Sequence, residues 1–152
     1  MIEAGQPAPD FTLPDQNGND VSLSDFAGSK LMLVFYPLDF SPTCTDQLSI
    51  YQEVLGQIEE LGASVVGVSV DSTFCHRAFS DQLGLSMPLL ADFHPKGQMS
   101  RAYGVYREDL GSDRRALILI GEDGAVLWTH EATQPGEIPG ANLIFDALEA
   151  AG

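Results

Sequence analysis

The chain has 152 residues, 44% of them hydrophobic, two cysteines, and 22 acidic against 7 basic side chains, for a net charge of −15. That length buries roughly 68–70% of the unfolded surface in one domain, so residues 1–152 need no disulfide scaffold. The acidic field argues against nucleic acid and anionic membranes as partners.

The start, MIEAGQPAPD, has no basic segment leading into an apolar one, so no secretory signal is expected there. The longest apolar runs, LMLVFYPL and ASVVGVSV, are strand-length and far below a membrane span. Both features point to a cytoplasmic setting, and the lysine-poor surface is compatible with a salt-rich one. In a reducing compartment a cysteine that matters does chemistry, or else fills space as a small hydrophobe.

Along the chain, PAPDFTLPDQNGNDVSLSDFAGSK reads as short strands and turns, with Asn17-Gly18 a hairpin signal. KLMLVFYP is a continuous apolar run closed by Pro37, hence a buried strand. Leu48, Tyr51, Leu55 and Ile58 then recur at helical spacing, with Gly62 as the stop. SVVGVSV is a second buried strand. DSTFCHRAFSDQLG is a helix with Asp71 or Ser72 as N-cap and Gly84 at its end. MPLLAD reads as a strand, GQMSRAYG as a short helix, RALILIGEDGAVLWTHE as two strands around a turn, and ANLIFDALEAAG as an amphipathic helix. Two successive strand–helix–strand crossovers and a late hairpin predict an α/β fold: a central mixed sheet with helices on both faces and an N-terminal hairpin.

Cys44 falls in the first turn of the helix that starts near Pro42 or Thr43. Proline suits a first helical position, where its missing N–H would be unpaired anyway. Free amides and the dipole at a helix start favour thiolate over thiol, and the thiolate is the nucleophile. This turn also lies at the carboxyl end of a parallel strand, the usual place for a site in such sheets. A disulfide reductase of this architecture needs Cys-x-x-Cys, but Gln47 holds the fourth position. No histidine among His76, His94 and His130 shows ligand spacing, so no metal is expected and each reads as a surface or packing residue.

YPLDFSPTC resembles the peroxiredoxin signature of proline, three residues, threonine or serine, two residues, cysteine; Pro37, Ser41 and Cys44 match it. AGQPAPDFTLPDQNG, SVDSTFCHRAF and RRALILIGEDG are similar to other family segments. PLLADFHPKGQMSRAYGVY and QPGE are closest to the one-cysteine alkyl hydroperoxide reductase E branch. The resemblance implies a thioredoxin-like fold and thiol-dependent reduction of hydrogen peroxide or organic hydroperoxides, with no cofactor. It implies that Cys44 is the peroxidatic cysteine, that the Ser41 hydroxyl bonds peroxide and thiolate, that Pro37 shields the pocket, and that Arg115 is the family arginine. Arg114 is the neighbour to which that register slips if it is off by one, and strand alternation lets only one of the two face the site. The reductant is expected to be thioredoxin, glutaredoxin or a low-molecular-weight thiol, and the assembly a homodimer.

Cys75 also opens a helix after a parallel strand, which predicts moderate acidity. It is a candidate resolving cysteine, although the matching family segment lies near a dimer interface. Trp128, Phe40, Phe74 and Phe93 read as core or interface packing, with a pocket lining as the alternative. A redox sensor or holdase signalling through oxidised Cys44 is the competing function. A sensor reacts once, whereas a peroxidase turns over.

Overall fold

The computed structural model describes residues 1–134 and 136–152. Pro135, within the QPGE stretch, lies outside the described residues. Among the described residues the strands are, in chain order, β1 (Thr12–Pro14), β2 (Asp20–Ser22), β3 (Lys30–Phe35), β4 (Ala63–Ser69), β5 (Leu89–Ala91), β6 (Tyr106–Arg107), β7 (Ser112–Asp113), β8 (Ala116–Ile120) and β9 (Val126–Glu131). The helices are α1 (Pro42–Glu53), α2 (Leu55–Glu60), α3 (Thr73–Leu83), α4 (Gln98–Ala102) and α5 (Ala141–Ala151), with a 3-10 turn at Leu23–Phe26.

The central sheet has the order β5-β4-β3-β8-β9. β3, β4 and β5 are parallel, because helices return the chain between them, and β8 and β9 add antiparallel strands. β3 sits in the middle and is buried on both sides, which explains its unbroken apolar run. Its residues alternate: Met32 and Val34, with Tyr36 just past the strand, face one core, and Leu31, Leu33 and Phe35 the other. The first core is covered by Leu48 and Tyr51 of α1, Leu55 and Ile58 of α2, Phe79 of α3, and Ile144 of α5. The second is covered by Met99 of α4 with Phe11 and Tyr103. Each such large side chain, fully buried, contributes about 1.5–3 kcal/mol.

The β1–β2 hairpin closes over a five-residue turn in which the Asp15 carboxylate accepts from the amides of Asn17 and Asn19. Gln16 from this turn reaches the exposed edge of β5, accepting from Leu89 N at 2.8 Å and donating to the Met87 carbonyl at 3.0 Å. That contact guards an edge strand.

Three elements depart from the expected pattern. The helical spacing from Leu48 to Ile58 is carried by two helices, with Val54 at φ −106°, ψ 6° between them. A β-branched residue and Gly56 two positions on are both weak helix formers. The β6–β7 pair had no counterpart among the expected strands, since two-residue strands carry too little alternation to detect. Arg115 does not lie inside β8; it immediately precedes it.

Candidate active site

Cys44 is fully buried at the third position of α1. Ser41 is the N-cap, with extended backbone at φ −64°, ψ 143°, and its Oγ accepts from Cys44 N at 3.3 Å. Pro42 follows at the first helical position. The free amides at this helix start are therefore fewer than the sequence suggests. Pro42 has none, and that of Cys44 is taken by Ser41. Thr43, which lines the adjoining cleft, keeps the uncommitted first-turn amide among the described residues. Because the Ser41 oxygen accepts from the backbone, the hydroxyl hydrogen is left to donate outward.

Arg115 immediately precedes β8, whose first residue, Ala116, pairs with Phe35 at the carboxyl end of β3. Its Nη2 lies 3.3 Å from Cys44 Sγ, and its Nη1 donates to Gln47 Oε1 at 2.5 Å. Arg114 turns the other way and pairs with Glu131 at 3.0 Å on the surface. Strand alternation separates the two, with Ala132 N bonding the Arg115 carbonyl to extend the β8–β9 ladder by one residue.

The loop between β3 and α1 is strained and braced. Phe40 has φ +68°, an uncommon conformation for a bulky residue, and its ring meets Phe79 edge-on at 5.1 Å. Asp39 is buried and accepts from Tyr36 Oη at 2.6 Å, pairs with His76 Nδ1 at 2.7 Å, and gives its own amide to Asp71 at 2.8 Å. His76 Nε2 donates to the Leu90 carbonyl at 2.9 Å. This network ties the collar of Pro37 to Ser41 onto α3 and β5. It joins residues 37 apart in sequence, and no motif announces it. Of the three histidines, His76 is thus a structural member of the core, while His94 is exposed.

Cys75 belongs to a different set of contacts. It caps back onto Ser72 Oγ at 3.2 Å, and its Sγ lies 3.7 Å from Asp71 Oδ1. Both cysteines are free thiols. Burial, then the carboxylates of Asp39 and Asp71, push the Cys75 thiol up to about 12. The expectation of moderate acidity fails here, because burial and two nearby negative charges outweigh the helix start. Ligand atoms of Asp39, Asp71 and Cys75 lie within 4.8 Å of one another, but both carboxylates are already engaged in the brace.

An open cleft of about 680 Å³ adjoins the buried thiol, lined by Pro37, Ser41, Thr43, Leu110, Arg115 and Thr133 among others. It dwarfs hydrogen peroxide. None of the four aromatics considered above lines it. Trp128 is half-buried and stacks on His130 at 6.0 Å. Phe74, Phe93 and Phe40 are 86%, 57% and 45% exposed, so they are not core residues of this chain. Together with Leu38 they stand at the carboxyl ends of three neighbouring strands, β3, β4 and β5.

The AhpC/TSA family model matches residues 4–129. The chain is 37% identical over 151 residues to alkyl hydroperoxide reductase E of Mycobacterium tuberculosis, covering 99% of this chain and 98% of that protein. Among solved structures it is similar to peroxidoxin BcpB of Mycobacterium tuberculosis, with a TM-score of 0.90, 28% identity, and coverage of 100% and 99%. It is likewise similar to Enterococcus faecalis AhpC, with a TM-score of 0.91, 31% identity, and coverage of 99% and 93%. The fold is the thioredoxin-like arrangement. Among the described residues, no helix is long and apolar enough to cross a membrane.

Proposed function

Because the chain belongs to the AhpC/TSA family of peroxiredoxins, and is thus a thiol-dependent peroxidase using a peroxide and a thiol reductant, we propose that Cys44 is the residue that attacks the peroxide. The observation that carries this reading is the placement of a guanidinium 3.3 Å from a sulfur at a helix start. The guanidinium and the helix start both bring donors to the atoms where charge moves during attack.

In the proposed step, the Cys44 thiolate attacks the terminal oxygen of the peroxide. The O–O bond breaks as the S–O bond forms, sulfur is oxidised by two electrons, and the leaving oxygen departs as alkoxide or hydroxide. That oxygen takes a proton from solvent. Arg115 and the Ser41 hydroxyl supply donors where negative charge develops, worth roughly 3–4 kcal/mol each in comparable sites. Cys44 becomes a sulfenic acid. One external thiol condenses with it, releasing water and leaving a mixed disulfide. A second thiolate then displaces Cys44. Cys75, raised in pKa and held by Asp71, is ill-suited to resolve it.

The reading includes a cytoplasmic setting, supported by the two unpaired cysteines, and a homodimer, supported by the exposed Leu38, Phe40, Phe74 and Phe93. The test is peroxide consumption with excess small thiol. Cys44→Ser should abolish turnover with an unchanged unfolding transition, because an alcohol at that position is far less acidic. Normal turnover in this variant would remove Cys44 from the mechanism.

A further inference from the structure

We propose that Asp113, held as a neutral acid, seats β7 against α4 and so positions Arg115 at Cys44, and that ionising it unseats the arginine and slows the peroxide step. The inference rests on the reading of Cys44 as the attacking thiolate. Asp113 is 1% exposed, and neither of its carboxyl oxygens has a hydrogen-bond partner among the described residues. Alternate residues of an extended chain share a side. Asp113 and Arg115 both turn inward, and Arg114 between them turns out to Glu131.

Hydrogen-bonding capacity argues for the neutral form. The groups acting on Asp113 across the packing are the Ser100 hydroxyl of α4, Asp92 from the connection between β5 and α4, and Asp71 just after β4. Ser100 has one hydroxyl hydrogen, placed between Asp92 Oδ2 at 3.1 Å and the Gly97 carbonyl at 3.2 Å. What remains around Asp113 is acceptors, so the hydrogen for any contact is its own. The cations of these elements are placed elsewhere. Arg101, Arg107 and Arg114 pair with Glu108, Asp109 and Glu131, and Lys96 stands beside Gly111 at the hairpin tip. Burial pushes the carboxyl up to about 8, so the proton leaves just above neutral pH.

β6 and β7 form a two-stranded sheet of their own, separate from the central one. The amide of Val105, just before β6, donates to the Ser100 carbonyl at 2.9 Å. Arg101 of α4 stacks on the Tyr106 ring at 4.2 Å and pairs with Glu108. These contacts hold the hairpin to α4 at its β6 side, whereas Asp113 stands on β7. Ionised there, it would be a dry charge acted on by two further carboxylates, and lifting β7 towards water relieves it. Only Arg114 separates β7 from Arg115, so the lift carries the guanidinium away from its 3.3 Å contact with the sulfur. A misplacement of about 1 Å in a catalytic group costs on the order of a hundredfold in rate.

The test measures the second-order rate constant with hydrogen peroxide from about pH 6 to about pH 9.5 for the wild type and Asp113→Asn. Hydrogen exchange of residues 105–114, corrected for intrinsic rates, is read by mass spectrometry at the neutral and alkaline ends. The wild-type constant should fall by about tenfold or more between neutral pH and the alkaline end, as the hairpin loses protection relative to β8. Asparagine cannot ionise yet still donates a hydrogen, so Asp113→Asn should hold its own neutral-pH rate to the alkaline end. A wild-type rate that does not fall, or a fall shared by Asp113→Asn, overturns the proposal. If the asparagine variant does not fold, the wild-type exchange decides, and unchanged hairpin protection at alkaline pH overturns it. Cys44→Ser runs in parallel and should show the same exchange change while consuming no peroxide. If that variant turns over, the site itself was misread; if it is inert while the wild-type profile stays flat, only the role of Asp113 fails.

Discussion

Arg115 Nη2 stands 3.3 Å from Cys44 Sγ, while the adjacent Arg114 is bound to Glu131 at 3.0 Å outside the site. The two neighbours therefore make opposite predictions. Arg115→Ala should slow the peroxide reaction by on the order of a hundredfold or more, since it removes a donor aimed at developing charge. Arg114→Ala should change the rate little and stability by about 0–1 kcal/mol, because its ion pair is half exposed. Stopped-flow rates for the two variants decide between them. A sensitive Arg114 and a tolerant Arg115 would show the register to be wrong.

Ser41 has two tasks that can be separated. Its oxygen caps α1 by accepting from Cys44 N, and its hydrogen remains for the peroxide. Ser41→Ala should cost about 1 kcal/mol of stability through the lost cap. It should also slow the peroxide reaction by on the order of a hundredfold, through the lost donor. Ser41→Thr retains the hydroxyl and narrows its rotamers, so activity should be kept or improved. A well-folded but inactive threonine variant would mean that the pocket has no room for the extra methyl.

Asp113, which lines the same cleft, carries a pH dependence of stability. It is buried on β7, and neither carboxylate oxygen has a hydrogen-bond partner among the described residues. Burial pushes its carboxyl up to about 8; the Ser100 hydroxyl opposes this without reaching bonding geometry, and Asp92 and Asp71 add to it. The folded value lies above that of the unfolded chain, about 3.9. The folded state thus keeps a proton that the unfolded state has released. The stability from this proton is complete below about pH 4 and is lost as pH rises towards about 8. Asp113→Asn cannot ionise, so its stability should stay level across that window. At pH 8 it should exceed the parent by about 1–3 kcal/mol. Urea unfolding at pH 5 and pH 8 checks this, and parallel behaviour of the two proteins would sink it.

Much of this arrangement is legible in the residues themselves. Pro37, the Ser41-Pro42 pair, Ser72 and Gly84 mark element ends through local backbone chemistry; alternation says only that one of Arg114 and Arg115 faces the site, and the family resemblance is what points to Arg115. What escapes is tertiary. Gln47 reads from sequence only as a missing second cysteine; its partner Arg115 comes from a distant segment, as does Pro139, whose carbonyl accepts from Tyr51. The helix-start rule predicts an acidic Cys75, but Asp39, brought in from another loop, helps reverse it. The Asp39–His76 brace has the same character.

Phe74 is the residue on which the proposed homodimer is most open to attack. Phe74 is exposed at the same end of the sheet as the exposed Leu38, Phe40 and Phe93, on a strongly acidic chain. Phe74→Glu would bury a charge in any interface built there. It should therefore shift sedimentation from dimer to monomer while leaving the unfolding of the single chain intact. A wild-type protein that sediments as a monomer at micromolar concentration would dispose of the dimer.

The role of Cys75 is settled by its serine variant. Its thiol is pushed up to about 12, so at neutral pH it is almost entirely protonated. A protonated thiol is a poor attacker of a sulfenic acid, because exchange proceeds through the thiolate. To meet Cys44, the start of α3 would also have to leave its Ser72 cap and its contact with Asp71. An external thiol needs neither change. Cys75→Ser should therefore retain full turnover with a small thiol, and non-reducing peptide mass analysis of the oxidised wild type should show no Cys44–Cys75 link. Intact mass after one equivalent of peroxide, without reductant, gives an independent reading. Addition of oxygen fits the one-cysteine cycle. Loss of two hydrogens, together with a Cys44–Cys75 peptide and failed thioredoxin-dependent turnover in the serine variant, would make Cys75 the resolving residue.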